Sequence, residues 1–388
     1  MENRQPSNPM CRQAWSIPAL IREQYAPLEH MARTLLTTPE IFSIQRIILT
    51  GCGDSYAAAL SMKHIFELLT QIPTEVVEPL DLARYYHPKQ IGFAPNNPLV
   101  FAVSNSGSVS RVDEAVQFVN EHGGFTLGIT SRPDSPLGVH AKRVFQTAID
   151  SFEPSPGVRS YLVSVLSLLL LAIRIGEVRG RQTMDQSEQL RRDILRQADV
   201  LEQLLPQMDG QTRELAFRWR EMPAFDFIGG GFDYAAAFYG HAKILEATGK
   251  HSSCVDAEEW LHLNFFARGV ATTATVIVAN TTNPAISRVS ETIRYARQLG
   301  RPLLILTDGE LEAAEDHEPA IRVPKTQTQI TMPLTQFVPL ALLAGYLSEA
   351  LGEEYGRGCK GPWQFADGAA CIRNSRVVVR KTLLQQES

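Results

Sequence analysis

The sequence predicts an α/β protein made of two tandem copies of one domain, each a parallel sheet flanked by helices. Three observations predict it. First, the chain repeats itself: "RIILTGCGDSYAAALSMKHIF" (46–66) is restated by "FDFIGGGFDYAAAFYGHAKILE" (225–246), with Tyr56-Ala-Ala-Ala matched by Tyr234-Ala-Ala-Ala, 178 residues on. A second pair, "LVFAVSNSGSVSRVDEAVQFV" (99–119) and "TVIVANTTNPAISRVSETIRYA" (275–296), keeps an offset of 177 at its Ser-Arg dipeptide. A fixed internal period decides the architecture before any local reading does. Second, each half alternates short apolar runs, Gly/Ser/Asn turns and helix-period segments, the rhythm of a parallel sheet covered on both faces. Third, 388 residues suit two domains better than one.

In chain order, residues 1–40 read as a helical preface, with "IPALIREQYAPLEHMARTLL" as its main segment. Residues 41–180 form the first domain, whose strands are read in "RIILT", "LVFAV", "FTLGIT" and "VFQTAI". Residues 181–222 are charged and helix-periodic, and read as a linking helical hairpin. Residues 223–350 form the second domain, with strands in "FDFIGG", "TVIVAN", "LLILTD" and "AIRVP". Residues 351–388, including "GRGCKGPWQFADG", read as an irregular tail near the active site.

Composition narrows the function classes. With 44% hydrophobic and 20% charged residues and a net charge of −5, the chain has no basic surplus for a nucleic-acid backbone. Its amino terminus lacks the apolar segment of a signal peptide. The most apolar run, "YLVSVLSLLLLAI" (161–173), reads as too short to cross a bilayer. A cytoplasmic protein with no membrane or nucleic-acid partner is the expectation. Cys11, Cys52, Cys254, Cys359 and Cys371 are scattered without a C-x-x-C pair, which offers neither a zinc site nor a disulfide framework. No metal and no cofactor is expected.

The opening motif, "TGCGDSY", has G-x-G after a strand but lacks the third glycine of a dinucleotide fingerprint, and the chain has no G-x-x-x-x-G-K-[ST]. A better anion site is "SNSGSVSR", which follows one strand and opens a helix. There Ser104, Asn105, Ser106 and Ser108 or Ser110 could surround a phosphate with hydroxyls and backbone N–H groups. Such a cluster also serves as ordinary turn and N-cap chemistry. The pairing with Ser55, at an adjacent strand end of the same half, favours the phosphate. In the second half the matching turn is "NTTNP" and the counterpart of Ser55 is Asp233. A carboxylate there repels phosphate, so one phosphate-competent site per chain is expected.

With "GCGDSY", "SNSGSVSR" and "GHAKILEATGKHSSCVDAEEWLH" together, the chain resembles the doubled sugar isomerase (SIS) domain family over roughly residues 40 to 380. The family includes the isomerase part of glucosamine-6-phosphate synthase and fructosamine-type amino-acid-6-phosphate deglycases. The resemblance implies two flavodoxin-like three-layer sandwiches, with the sugar phosphate held in the first by Ser55, Ser104, Asn105, Ser106 and Ser108. "EPSPGVRS" (153–160) is similar to a third family segment and would bring Val158 and Ser160 against the sugar. The family's catalytic lysine, glutamate and histidine fall on Lys243, Glu246 and His262. Geometry alone puts Lys243 and Glu246 on one helix face, at i and i+3. Proton transfer between C1 and C2 of a phosphosugar needs a carboxylate base, and ring opening needs a group that trades a proton near neutral pH. Glu246 and His262 suit those roles. In the family the histidine comes from the neighbouring subunit, which implies a homodimer with its active site at the subunit interface.

Three departures shape the expected activity. The chain begins Met-Glu-Asn, without the synthase's glutaminase segment, so glutamine-dependent synthesis is not expected of it alone. Asn374 stands where the synthase has its Schiff-base lysine, and the flanking Arg373 and Arg376 cannot form an imine because they never lose their proton. The motif around the histidine reads "EEWLHLN", without the family's Gly-Pro. The expectation is an enzyme acting on a 6-phosphorylated ketosamine or amino sugar, as deglycase, deaminase or aldose–ketose isomerase. Lys360 and Trp363 are candidates for the amine side. The alternative is a phosphosugar-binding regulatory protein, which needs the serines but not Glu246 and His262.

Overall fold

The computed structural model describes residues 6–92, 97–315, 317–364 and 370–379. Its chain divides into two compact units, each with one five-stranded sheet. One unit comprises Gln24–Ser151, Val163–Gln189 and the described residues from Cys359 on. The other comprises the described residues up to Glu23, Phe152–Leu162 and Leu190–Gly358.

The first sheet contains β1 (Ile47–Gly51), β2 (Thr74–Val76), β3 (Leu99–Val103), β4 (Phe125–Thr130) and β5 (Arg143–Gln146), in the spatial order 2-1-3-4-5. Every pairing is parallel; Ile47 faces both Thr74 and Leu99. Every residue of β1, β3 and β4 is buried, as expected of strands covered on both faces. The second sheet contains β6 (Ala224–Gly229), β7 (His251–Asp256), β8 (Thr273–Val278), β9 (Leu303–Thr307) and β10 (Ala320–Arg322), in the order 7-6-8-9-10. This is the same parallel order again, so the repeat read in the sequence is a repeat of topology.

The chain turns back on itself between β1 and β3, and again between β6 and β8. In open α/β sheets, ligands bind at the carboxyl ends of strands at such switch points. Gly51 pairs with Val103, so "GCGDS" and "SNSGS" leave the first sheet side by side.

Three sequence expectations are corrected. Residues 184–219 form one 36-residue helix, Met184–Trp219, and not a hairpin. Pro206 lies inside it, but Leu190, Ile194, Ala198, Leu201, Leu205, Met208, Leu215 and Trp219 make a buried stripe at helical spacing that holds it together. The apolar run at 161–173 belongs to a 20-residue helix, Arg159–Val178, long and apolar enough to cross a membrane; so is Gln329–Leu351. Both are mostly buried within the fold, 83% and 94% over their apolar windows, as core helices are. Finally, each sheet has a fifth strand that the sequence reading left out. β2 is three residues long and β7 ("HSSCVD") is largely polar, so neither carries an apolar run.

Candidate functional site

The first unit's candidate site begins at Gly51, where a Cβ would lie 2.7 Å from that of Ser55; only glycine lets the turn close this tightly. Gly53 takes φ +56° and leads into the Asp54–Thr70 helix, with Ser55 half-buried in its first turn. Across the switch point, the serine turn is shaped by Gly107 at φ +62°. A Cβ there would fall 1.8 Å from Ser135 Oγ and 2.8 Å from Thr130 Oγ1. Gly107 N donates to Ser104 O (3.0 Å), and Ser108 Oγ donates to Ser106 Oγ (3.0 Å). Asn105 O accepts from both the backbone N–H (3.0 Å) and the hydroxyl (2.7 Å) of Ser131, which pins the outer limb.

The turn feeds the Ser110–Glu121 helix, whose amino end is suited to an anion. Ser104, Asn105, Ser106 and Ser108 therefore share one turn with Ser55 close by. Ser110, the open alternative to Ser108, is engaged elsewhere: its hydroxyl donates to Arg373 O (2.6 Å). Arg111 reaches Ser375 Oγ (3.3 Å), and Val378 N donates to Glu114 Oε2 (3.1 Å). These contacts fasten the tail along the helix and hold Asn374, exposed in a bend, beside its first turn. Glu114, with no exposed side-chain surface, also binds Arg84 (2.7 Å) and Arg111. Trp363 and Lys360 are exposed. Phe365–Gly368 of the same tail lie outside the described residues.

In the second unit, the Tyr234–Thr248 helix carries Lys243 and Glu246. Lys243 is completely buried, and its Nζ donates to Glu246 Oε2 at 2.7 Å and lies 5.2 Å from the centre of the Tyr239 ring. Glu246 keeps 42% of its side chain exposed, so one end of a buried charge pair faces outward. Tyr239 donates its hydroxyl to Gly157 O (3.0 Å), which joins the "EPSPGVRS" segment to this helix. Gln13 Oε1 accepts from the backbone N–H groups of Val158 (3.3 Å) and Arg159 (3.2 Å). Val158 is fully buried, whereas Ser160 is half-buried.

His262 ends the Ala257–His262 helix with 63% of its side chain exposed, and its Nε2 lies 2.9 Å from Glu258 Oε1. Glu258 also binds Arg288 (3.0 Å), and these partners lower its pKa, Arg288 first. The loop around His262 is anchored by Asp226, which accepts from Trp260 Nε1 (3.3 Å) and Asn264 Nδ2 (3.2 Å) and pairs with the buried Arg301 (3.3 Å). Lys243 and Glu246 are thus brought together, while His262 pairs with Glu258. Sequence reasoning passed over the Asp226 anchor, because nothing local marks a strand aspartate as the partner of residues 34 and 38 positions on.

Asp233 occupies the second switch point. It is wholly buried and accepts from Asn280 N (3.0 Å), from the Asn280 side-chain amide and from Asn283 Nδ2 (2.8 Å). Burial, with the nearby Asp308 adding to it, pushes its carboxyl up to about 6 against the pull of these hydrogen bonds.

Residues 40–174 match the SIS domain family. Ser55, Ser104, Asn105, Ser106, Ser108, Val158 and Ser160 lie within the matched residues, whereas Lys243, Glu246, His262 and Asn374 lie beyond them. The chain is 25% identical to glutamine–fructose-6-phosphate aminotransferase (isomerizing) of Clostridium tetani over 319 residues, 81% of this chain and 50% of that protein. It therefore spans about half the length of the curated relatives it matches. In fold it is similar to the C-terminal domain of glucosamine-fructose-6-phosphate aminotransferase from Francisella tularensis (TM-score 0.80, 15% identity, 90% of this chain and 98% of that one). It is also similar to glucosamine-6-phosphate deaminase from Thermotoga maritima (TM-score 0.61, 19% identity, 87% and 95%). The SIS match ends before β6, yet the second sheet repeats the strand order of the first.

Proposed function

We propose that the chain is a phosphosugar-processing enzyme acting on a 6-phosphorylated ketosamine or amino sugar. In this reading the SIS domain's serine turn, with Ser55, holds the phosphate, and Glu246 removes a proton from the sugar carbon at C1 or C2. The electron pair moves into the adjacent carbonyl or protonated imine, giving an enediolate or an enolamine; Glu246 then returns the proton to the neighbouring carbon while a proton passes from the oxygen on the deprotonated carbon to the former carbonyl oxygen or imine nitrogen. The observation that carries the reading is the Lys243–Glu246 pair. A fully buried lysine donating at 2.7 Å fixes one oxygen of that carboxylate while 42% of the glutamate side chain stays exposed. The names of the three relatives given above support the substrate class, since each names a 6-phosphorylated sugar.

His262 is the candidate for trading a proton with the ring oxygen. Its pairing with Glu258 gives it a partner to leave before it can serve, and this favours a second reading, a phosphosugar sensor in which the serine turn binds and no chemistry follows. Assaying wild type and Glu246→Gln against a panel of 6-phosphorylated ketosamines, amino sugars and ketoses separates the two. The enzyme reading expects turnover of at least one compound, lost by at least about a hundredfold in Glu246→Gln, with binding of the phosphosugar changed only a few-fold. A wild type that binds the panel and turns over none of it supports the sensor.

A further inference from the structure

Ala247, the residue after the proposed base, lines a cavity of about 270 Å³ in the unit of the second sheet. Met10 and Ala247 are buried at its inner end, Pro154 and Pro156 of the "EPSPGVRS" segment give it apolar walls, and the exposed Tyr355 and Glu354 stand at its mouth. Among the described residues that line it, the only charged ones are Glu353 and Glu354. Arg357 stands behind Glu353, donating to its Oε2 (3.1 Å), to Leu245 O (2.8 Å) and to Glu246 O (3.2 Å). That guanidinium ties the acidic side of the cavity to the helical turn that carries Glu246. Glu349, next in the chain to the lining Ser348, accepts from Ser7 Oγ at its Oε1 (2.6 Å), whereas its Oε2 is buried with no hydrogen-bond partner among the described residues. An unmet acceptor beside two carboxylates calls for a donor, not for another anion. Lys360 and Trp363, the amine-side candidates read from the sequence, lie outside this lining.

In a ketosamine or an amino sugar the nitrogen is bonded to C1 or C2, the carbons between which Glu246 moves a proton in the reading above. Whatever the nitrogen carries therefore starts within a few bonds of that carboxylate. The cavity is smaller than the ~300–1,000 Å³ of pockets for drug-sized ligands, so it suits a short chain. Its apolar walls take methylene groups, and the carboxylates at its mouth take a cationic end. We propose that this cavity is the amine-side pocket, and that it selects an amine whose substituent is a short aliphatic chain ending in a cationic group. The proposal rests on the reading of Glu246 as the base and names the class of amine, which that reading leaves open. A chain ending in a carboxylate meets Glu353 and Glu354 and is discriminated against.

The test is calorimetric titration of the full chain with 6-phosphorylated ketosamines that share a four-carbon stem and differ only at its end. They are made from 1,4-diaminobutane, butylamine and 4-aminobutyrate, and so end in an ammonium, a methyl and a carboxylate; fructose 6-phosphate is the control. The ammonium compound is expected to bind at least about tenfold more tightly than the carboxylate compound, with the methyl compound between them. Glu354→Lys is expected to shrink that ratio to within about threefold and to leave fructose 6-phosphate binding unchanged. Equal affinities in wild type, or a ratio that survives in Glu354→Lys, overturn the proposal. So does a chain that binds fructose 6-phosphate and none of the ketosamines. An ammonium preference without turnover of any compound keeps the pocket and removes Glu246 from the role of base. A chain that binds none of the four ligands overturns both readings.

Discussion

Glu246→Ala should destabilise the protein far more than Glu246→Gln, for a reason independent of chemistry. Lys243 has no exposed side-chain surface, and its Nζ sits 2.7 Å from Glu246 Oε2. Deleting one partner of a buried charge pair costs roughly 3–5 kcal/mol, because the remaining charge stays desolvated. The Glu246 side chain is 42% exposed, so water can reach the vacated space, and the expected loss is about 3 kcal/mol, the low end of that range. Glutamine keeps an oxygen for the ammonium to donate to, so its loss should be about 1 kcal/mol. Urea unfolding of wild type, both variants, Lys243→Met and the double variant Lys243→Met/Glu246→Gln measures this directly. In the double variant the Gln substitution should cost less than it does alone, since no buried charge is left to compensate. If Ala and Gln lie within about 0.5 kcal/mol of each other, below the net worth of one hydrogen bond, the coupling argument is wrong. Activity lost in the Ala variant would report stability and chemistry together, and Gln separates them.

Asp233 makes stability depend on pH in an unusual direction. Its carboxyl is raised to about 6, so the stability it contributes is full below its unfolded pKa near 4 and is lost as pH rises through about 6. The shift corresponds to an upper limit of about 3 kcal/mol. Denaturation curves from pH 4 to 7.5 should show wild type losing stability relative to Asp233→Asn over that window, and parallel pH profiles would sink the assignment. Gly107→Ala should weaken phosphosugar binding by at least about tenfold in a titration. It imposes φ +62° on alanine, at about 1 kcal/mol or more, and drives a methyl to 1.8 Å from Ser135 Oγ, which forces the serine turn to move. Unchanged affinity would remove that turn from the site.

The architecture was legible because the duplication is written in apolar runs and glycine turns, and "RIILT", "LVFAV" and "LLILT" supply three of the six inner strands. What stayed hidden depends on partners distant in sequence. "TEV" and "HSSCVD" become strands through pairing with β1 and β6, not through their own pattern. Leu201, Leu205 and Met208 carry one helix past Pro206, where local rules favour a break. The i, i+3 spacing put Lys243 and Glu246 on one face, yet nothing in it tells a solvated ion pair from a buried ammonium. Asp233 was legible as a missing serine, but its capture by Asn280 and Asn283 required the fold. Likewise, a serine-rich turn does not announce that Ser110 serves the tail while Ser106 and Ser108 bond to each other.

The tail that lies along the Ser110–Glu121 helix carries a consequence for how the chain matures on the ribosome. Glu114 is buried on a helix made early in translation, but one of its hydrogen bonds comes from Val378, and Ser110 waits for the carbonyl of Arg373. The unit that holds the first sheet also draws on residues from Cys359 onward. The half synthesised first is therefore finished last. Until the final segment emerges, that helix presents a carboxylate and a hydroxyl without their last partners, beside the turn read here as the phosphate seat. A chain cut short before Arg373 would lack this strap on the Ser110–Glu121 helix.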